Sequence, residues 1–337
     1  MNPGLASVSV VVPVYEGTRH LPEALGSVLA QTVPPLEVIV VDDGSTDGSA
    51  SLVEAFAADH PQLAVRLIRQ ENRGQSASRN RAAAEAGGEL IAFLDQDDRW
   101  YPDHLERLAA AFAKPDVGLA FSDFDEIDGD GHLVVRRFLR SAGIAHPRSS
   151  IVDWIASDTM ILPSAAMVRA SAFHGVGGFS EDLVGYEDDE LWIRIFRAGW
   201  RSRYVDRPLG VFRIHAGSSS TRSSFRRSRV IFFRRVSAML PDSVELRRYY
   251  TSDVLLPRLV TATLADYRGA IRAGSDADAL EAARTAAALL DGSRSPLLSR
   301  RQLRLLHHPR LVRWGSRWSG LLPRGVRHRL NPTRMHR

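Results

Sequence analysis

The sequence contains no cysteine in its 337 residues. This absence excludes disulfides and thiolate metal sites, and it suits a reducing compartment. No apolar run approaches the roughly 20 residues that span a bilayer, and the N-terminus lacks a basic stretch followed by an apolar one. Zinc-finger spacing and basic zipper heptads are also missing, so nucleic acid is not an expected partner. We therefore expect a cytoplasmic protein.

Negative charge is missing from the end of the chain. From Gly292 onward there are 12 arginines and no acidic residue. Residues 1–220 carry 20 basic and 31 acidic side chains, whereas residues 221–337 carry 24 arginines and 8 acidic side chains. This asymmetry marks a compositional boundary. We predict one acidic domain over residues 1–220 and a basic, helical region over residues 221–337.

The first half of the chain alternates apolar strands with helices. Strands are predicted at 7–15, 37–41, 64–69 and 89–94, separated by helices at 21–31, 47–58 and 76–86. Near-continuous apolar strands between helices are typical of a mostly parallel sheet with both faces covered, so the predicted fold class is α/β. Residues 119–214 look mixed, with a hairpin around 128–131 and a helix around 188–198. Ligands of such sheets bind at the carboxyl ends of the strands.

Residues 92–103, A-F-L-D-Q-D-D-R-W-Y-P-D, place Asp95, Asp97 and Asp98 at the end of a predicted strand. A helix cap at Asp98 explains one carboxylate but not three. Three adjacent carboxylates repel one another, and burying them without partners is costly. Hard oxygen ligands of this kind suit Mg²⁺ or Mn²⁺. The segment therefore predicts a site for a divalent metal and a diphosphate.

A second acidic strand end lies at residues 40–47, V-V-D-D-G-S-T-D. A tight turn followed by a helix cap accounts for the residues after Gly44. That interpretation leaves Asp42 and Asp43 unexplained, because a turn needs only one acidic residue. A carboxylate at this position can instead accept hydrogen bonds from a base or a ribose. The segment alone leaves both interpretations open.

The loop and helix start at residues 71–80, E-N-R-G-Q-S-A-S-R-N, follow the third predicted strand. A polar loop with a cap at Ser76 is the plain structural interpretation. Arg79 and Asn80, however, fall one turn inside the helix and are expected to face the same crevice. There Arg73 or Arg79 can bind a phosphate as a planar fork.

A third acidic cluster, G-Y-E-D-D-E-L-W at 185–192, precedes the predicted helix near residue 188. Acidic residues stabilise the first turn of a helix, which is the structural interpretation. Four consecutive acids exceed that need, and one of them can act as a general base. His215 follows a predicted strand in F-R-I-H at 212–215, where a lone histidine is more often structural than a ligand.

Taken together and in order, these segments resemble the family 2 glycosyltransferases with the GT-A fold. The matching segments are V-V-P-V-Y at 11–15, V-D-D-G-S at 41–45, N-R-G-Q-S-A-S-R-N at 72–80, F-L-D-Q-D-D-R-W at 93–100, V-G-G-F at 176–179, E-D-D-E-L-W at 187–192 and R-I-H at 213–215. The resemblance covers about residues 5–220. It implies an inverting enzyme that moves a sugar from a nucleoside-diphosphate sugar to an acceptor hydroxyl, in surface polysaccharide or glycolipid synthesis.

The resemblance also implies roles for individual residues. Asp188 matches the catalytic base, and Asp97 matches the ligand of a divalent metal, Mg²⁺ or Mn²⁺, with Asp98 beside it and His215 completing the metal shell. The predicted nucleotide-sugar-binding residues are Pro13, Tyr15, Glu16, Asp42, Asp43, Arg73, Arg79, Asp95 and Gln96. Glu16 departs from the family pattern, which usually has asparagine after V-P-V-Y, and this weakens any assignment of the nucleotide.

Two other functions are alternatives to this assignment, one enzymatic and one non-catalytic. The G-T-R at 17–19 echoes the phosphate loop of a sugar nucleotidyltransferase, but it lacks the preceding glycine and the basic signature that follows. A non-catalytic nucleotide-sugar-binding scaffold would keep the fold without turnover. The presence of Asp97, Asp188 and His215 argues against such a loss of activity.

Residues 296–330 interleave leucine and tryptophan with arginine. An amphipathic, arginine-rich helix of this kind lies flat on an anionic membrane surface. A helical cap on the catalytic domain, or on a second copy in a homo-oligomer, is the alternative. If the membrane hypothesis holds, the protein is peripheral on the inner face of the cell membrane, and its acceptor is a lipid-linked or surface saccharide.

Overall fold

The computed structural model describes residues 5–215, 223–291, 297–298 and 300–312. The chain divides into two compact units, Met1–Ser228 and Arg229–Arg337. The division falls inside helix α9 (Ser223–Met239), slightly beyond the boundary predicted at residue 220.

Strands and helices alternate along the first unit. Its strands are β1 (Val8–Val14), β2 (Glu37–Asp42), β3 (Val65–Arg69), β4 (Leu90–Phe93), β5 (Arg99–Trp100), β6 (Val117–Ile127), β7 (Leu133–Val135), β8 (Ala166–Arg169) and β9 (Arg201–Arg213). Its helices before α9 are α1 (Leu21–Leu29), α2 (Ser49–Asp59), α3 (Gln75–Ala84), α4 (His104–Ala110), α5 (Phe138–Ser141), α6 (Ile151–Ala156), α7 (Ala170–Gly175) and α8 (Glu187–Arg197).

Within the described residues these strands form one sheet in the order β3-β2-β1-β4-β8-β6-β9-β5, with β7 paired to β6. The first four strands are all parallel, which confirms the predicted α/β architecture. Beyond β4 the sheet is mixed, because β8 runs antiparallel to both β4 and β6. The predicted hairpin is the antiparallel pair β6–β7.

Strand β1 forms the centre of the parallel part because its sequence suits burial on both faces. All seven residues of V-S-V-V-V-P-V are buried, and β-branched side chains pack well on a pleated surface. Helix α1 covers the sheet with Leu21, Leu25 and Val28, spaced i, i+4 and i+7 on one buried face.

The strand order reverses between β1 and β4, and the two strands separate at their carboxyl ends. Their register ends at Val11 opposite Phe93, whereas β1 continues beside β2 as far as Val14 opposite Asp42. Pro13 lies in this unpaired half, where its missing N–H removes no ladder bond to β4. A crevice at such a reversal is the usual ligand site of open α/β sheets.

The second unit is helical in the part that the structure describes. It contains the remainder of α9, a π-helical segment at Tyr250–Leu255, α10 (Leu256–Ala273), α11 (Asp276–Leu290) and α12 (Arg300–Leu306). Gly274 ends α10 at a φ of 77°, and the Ser275 hydroxyl caps α11 by accepting from the Asp278 N–H. Small alanines on α11 pack against Tyr267 and Ala270 of α10.

Much of the predicted arginine-rich tail, including residues 313–337, lies outside the described residues. Among the helices that are described, none combines the length and the apolar composition needed to cross a bilayer.

Candidate active site

Asp97 and His215 meet beyond the ends of β4 and β9. Their side chains lie 2.8 Å apart, from Asp97 Oδ2 to His215 Nε2, and both side chains are partly exposed. Arg213 supports this pair, because its Nε donates to the Asp97 carbonyl at 2.9 Å. The same guanidinium donates through Nη2 to Glu23 Oε2 on α1 at 2.7 Å. Arg213 at the end of β9 therefore joins the segment of Asp97 to helix α1 next to the predicted metal ligands.

The side chain of Asp98 points into the protein interior rather than into the crevice. Its Oδ1 accepts from the Arg213 N–H at 3.0 Å, and the side chain is buried. Burial, together with the negative charges of Asp97 and Asp95, raises the pKa of Asp98 well above its usual range. This position ties the turn after β4 to the end of β9, whereas the Asp97 carboxylate is directed at His215.

Asp95 is joined to the third acidic cluster through Arg79. The Arg79 side chain is 2% exposed, and its Nη2 donates to Asp95 Oδ1 at 2.5 Å. Its Nη1 lies 3.6 Å from Glu187 Oε1 at the start of α8. The guanidinium also packs 5.3 Å from the centre of the Phe179 ring. Arg79 therefore links a carboxylate after β4 to the helix that carries Asp188.

Asp188 occupies the first turn of α8, where four acidic residues are consecutive. Burial, followed by the charges of Glu187 and Asp189, raises the pKa of Asp188 well above its usual range. The Asp189 carboxylate has partners of its own, because it accepts from the N–H and hydroxyl of Thr159. Glu187 accepts from the Gly185 N–H and from Gln75. The neighbours of Asp188 in this cluster thus have structural partners.

Asp43 anchors the loop between β3 and α3. Its carboxylate accepts from the Gln70 side chain at 2.7 Å and from the N–H groups of Arg73 and Gly74 at 2.9 and 2.7 Å. Asp42 accepts from the Ser45 N–H at 3.1 Å, which closes the turn after β2. Both acidic residues therefore have structural partners at the edge of the crevice.

Hydrogen bonds join the loop after β1 to the loops after β4 and β2. Gln96 forms two hydrogen bonds with the main chain of Tyr15, 2.8 Å to its N–H and 3.0 Å to its carbonyl. Glu16 Oε1 accepts from the N–H and hydroxyl of Thr46 at 2.8 and 3.0 Å. Tyr15 is 49% exposed, so it is accessible to a ligand. Glu16 has a φ of 49°, a backbone conformation in which asparagine is common and glutamate is rare.

Arg73 and Asn80 connect helix α3 to the V-G-G-F segment. The exposed Arg73 side chain pairs with Glu181 at 3.1 Å. Asn80 accepts from the Phe179 N–H and donates to the Phe179 carbonyl, both at 2.8 Å. The two arginines predicted to bind phosphate thus contact carboxylates, and Arg79 is the one that is fully buried.

Metal binding is compatible with the donor set but needs ligands beyond the protein. Among the described residues, no group of three or more histidine or acidic side chains is arranged to hold a metal ion. Asp97 and His215 do form an adjacent carboxylate and imidazole pair. Mg²⁺ sites of this kind commonly use one or two carboxylates together with substrate phosphates. The pair therefore fits a cation that is shared with a bound diphosphate.

Several residues of the site were not identified from the sequence. Gln70, Glu187 and Arg213 lie inside or beside recognised segments, but each acts through a partner far along the chain. Glu23 on α1 and Ser164, whose hydroxyl accepts from the Asp95 N–H at 3.0 Å, carry no sequence signal. Only their positions in the folded chain reveal them.

Comparison with known proteins places this chain in a family. The family model described as glycosyl transferase family 2 matches residues 9–176. EpsE of Bacillus subtilis, whose name carries a provisional glycosyltransferase assignment, is 31% identical over 212 residues, which cover 62% of this chain and 73% of that protein. An uncharacterized glycosyltransferase of Nostoc is 34% identical over 43% of this chain and 45% of its own length. The chondroitin synthase of Escherichia coli is 31% identical over 57% of this chain and 27% of its own length.

The chain thus spans less than half the length of the Nostoc and E. coli relatives. Solved structures match more of it. TarS 1-349 of Staphylococcus aureus, in complex with UDP-GlcNAc, has a TM-score of 0.65 at 19% identity and covers 93% of this chain and 92% of its own. The mannosyltransferase PcManGT of Pyrobaculum calidifontis, in complex with GDP-Man and Mn²⁺, has a TM-score of 0.56 at 23% identity and covers 94% of this chain and 87% of its own. The fold is therefore that of these glycosyltransferases, and the chain belongs to glycosyltransferase family 2.

Proposed function

We propose that the protein is an inverting, metal-dependent glycosyltransferase that moves a sugar, of hexosyl type, from a nucleoside-diphosphate sugar to an acceptor hydroxyl. One observation carries the proposal. Arg79 contacts both Asp95, two residues before the metal ligand Asp97, and Glu187, the neighbour of Asp188. The proposed donor side and the proposed base therefore face one crevice.

The donor occupies the carboxyl ends of β1, β2 and β4 in this proposal. Tyr15 is exposed there and can stack on the base, while Asp42 and Asp43 lie beside the ribose and base. TarS with UDP-GlcNAc and PcManGT with GDP-Man support a sugar nucleotide as the ligand class. The loops around the pocket are cross-linked by Gln96, so the site is largely formed before the donor binds.

Asp188 is the proposed catalytic base. The acceptor oxygen attacks the anomeric carbon, the bond from that carbon to the diphosphate oxygen breaks, and the bonding electrons leave with the diphosphate. The acceptor proton passes to the Asp188 carboxylate, whose raised pKa makes it a stronger base than an exposed aspartate. Attack from the face opposite the leaving group inverts the anomeric configuration, through an oxocarbenium-like state.

Asp97 and His215 are the proposed protein ligands of Mg²⁺ or Mn²⁺. If these two side chains hold a divalent cation, it would neutralise the charge that develops on the diphosphate leaving group. Arg213 positions this pair through the Asp97 carbonyl, and Asp98 fixes the turn by accepting from the Arg213 main chain. Mn²⁺ in the PcManGT complex supports the choice of ion.

The acceptor is proposed to be a saccharide or a lipid-linked saccharide in surface polysaccharide or glycolipid synthesis. The relationship to a chondroitin synthase supports a polysaccharide. Association with an anionic membrane surface, and assembly with a second copy, remain proposals for the basic C-terminal region, most of whose predicted amphipathic tail lies outside the described residues. A scaffold that binds sugar nucleotides without turnover is the alternative that the experiment below tests.

The test uses Asp188→Asn and the slow transfer of sugar to water, so that the acceptor need not be known. UDP- and GDP-sugars are screened with Mn²⁺ by thermal shift, and release of UDP or GDP is then measured. The variant should bind the donor within about twofold of the original protein but release nucleotide roughly 10²- to 10⁴-fold more slowly. Asp206→Asn, an exposed carboxylate on β9, is the control. Unchanged turnover in Asp188→Asn would remove the base, and no turnover in the original protein would favour the scaffold.

A further inference from the structure

Arg79 differs from Arg73, the other arginine predicted to bind phosphate, because it is buried among acidic groups. Its side chain is 2% exposed, whereas the Arg73 side chain is 64% exposed. The positive charge of Arg79 is close to Asp95 and Glu187 and interacts electrostatically with Asp188. An arginine guanidinium remains charged even when buried, so it brings one permanent positive charge to this point.

The charged groups around Asp188 come from three elements. Glu187 and Asp189 flank it on α8, and both of them oppose its ionisation. Arg79 on α3 is the neighbouring charge that favours its ionisation, and Asp95 after β4 shares the same guanidinium. Without Arg79, Asp95 and Glu187 would lose the positive group that they share. Like charges at such separations favour protonation of one of the carboxyls.

The contacts of Arg79 also make it unsuited to hold a phosphate. Its Nη2 donates to Asp95, its Nη1 lies 3.6 Å from Glu187 without a hydrogen bond, and the Phe179 ring packs against the guanidinium. A phosphate would have to displace Asp95 from a 2.5 Å charge-assisted contact. With its side chain only 2% exposed, the guanidinium is also not open to a ligand from the crevice.

We propose that Arg79 is a positioning residue that holds the base-bearing helix α8 in register with the donor-side carboxylate Asp95 and places one positive charge beside the acidic first turn that carries Asp188. The inference rests on the proposed role of Asp188. It reassigns the arginine of the S-R-N segment from phosphate binding to control of the base. The same contact explains why two acidic clusters about 90 positions apart in sequence tolerate one another in the fold.

The experiment measures nucleotide release against pH, with saturating donor and Mn²⁺, in Arg79→Met. A base works only when it is deprotonated, so losing the positive charge should move the acid limb of the profile to higher pH. On that limb the variant should lose about tenfold more activity than it loses on the plateau. Glu187→Gln removes a negative neighbour and should move the limb to lower pH. Adding Glu187→Gln to Arg79→Met should move the limb back toward its original position.

Arg194→Met is the matched control. Arg194 lies on the same helix α8, is largely buried, and binds Glu190 at 2.7 Å and the carbonyls of Val176 and Gly178. Its loss should lower the melting temperature and leave the acid limb where it was. If Arg79 were only a packing residue, Arg79→Met would behave in the same way as this control.

Two outcomes overturn the inference, and they differ from failure of the proposed function. Suppose that Arg79→Met folds and its acid limb does not move, while Asp188→Asn is inactive. This result refutes the role of Arg79 but leaves the proposed base in place. If Arg79→Met does not fold, the comparison is between Glu187→Gln and the double variant, and an unchanged limb between those two again refutes it. If Asp188→Asn retains full turnover, the proposed base is wrong and the inference falls with it.

Discussion

Glu16 allows a quantitative test of how the loop after β1 is stabilised at the edge of the crevice. Its φ of 49° costs a non-glycine residue of this kind about 1–2 kcal/mol. Two hydrogen bonds to Thr46 offset that cost, each contributing roughly 0.5–1.5 kcal/mol. Glu16→Ala removes both bonds and keeps the strained backbone. We therefore expect the free energy of unfolding to fall by about 1–2 kcal/mol in this exposed setting.

Asparagine at the same position should behave differently. It adopts the left-handed region more readily than glutamate, so Glu16→Asn relieves part of the strain while it loses the bonds to Thr46. Its free energy of unfolding should lie within about 1 kcal/mol of that of the original protein. Glycine relieves the strain further and gives a second comparison.

The assay is urea unfolding at fixed pH, combined with donor affinity in Mn²⁺. Glu16→Ala should weaken donor binding about two- to fivefold, since the loop bearing Tyr15 loses one of its supports. A double-mutant cycle with Thr46→Val isolates the bond to the Thr46 hydroxyl. The reasoning is refuted if Glu16→Ala unfolds with the same free energy as the original protein. Equal losses of donor affinity in the alanine and asparagine variants would instead mean that Glu16 contacts the donor.

Two further predictions concern the metal pair and a buried histidine. Asp97→Asn and His215→Asn should each weaken Mn²⁺-dependent UDP or GDP binding by about tenfold or more, as measured calorimetrically, and leave metal-free binding unchanged. Equal affinities with and without metal in the original protein and both variants would contradict the assignment of these residues as metal ligands. Burial lowers the pKa of His104 from 6.5 to about 3, so its contribution to stability is complete above pH 6.5 and is lost as the pH falls toward 3. His104→Phe should therefore reduce the slope of unfolding free energy against pH between 6.5 and 5 by up to about 1.4 kcal/mol per pH unit, and an unchanged slope would rule out a neutral, buried His104.

The parallel half of the fold is predictable from the sequence because its signals are local. The strand predicted at 37–41 is observed at Glu37–Asp42, and the helix predicted at 188–198 is observed at Glu187–Arg197. Continuous apolar runs and turn residues determine such elements within a few positions. The crevice then follows from the rule that ligands bind at the carboxyl ends of the strands.

The remainder of the sheet depends on contacts that no local pattern encodes. The short strand β8 (A-M-V-R) lies between β4 and β6 with opposite direction to both. Four residues carry too little periodicity to predict a strand, and their place is set by packing against partners 45 to 79 positions earlier in the chain. The same limit applies to the parallel pairing of β6 with β9.

The direction of individual side chains was the least predictable part of the site. Charge type and spacing indicated the residues around the crevice, such as Asp97 and His215, which the fold brings to 2.8 Å. The same criteria did not distinguish Asp98, which accepts from a buried main-chain N–H. They also did not distinguish Arg79, which is buried between carboxylates. A carboxylate that binds a ligand and one that fastens a turn have the same sequence signal, and only their burial and partners separate them.

The late arrival of β8 affects how this sheet is assembled during synthesis. Until residue 169 has left the ribosome, β4 has no neighbour on one side, and Leu90, Ile91 and Ala92 form an open apolar edge. Such edges recruit other strands, including those of other nascent chains. Closing the edge joins residues nearly 80 positions apart, which makes it a slow step. The nascent chain is therefore most exposed to misassociation while the stretch between β4 and β8 is being made, and a chaperone that binds extended apolar segments would act in that interval.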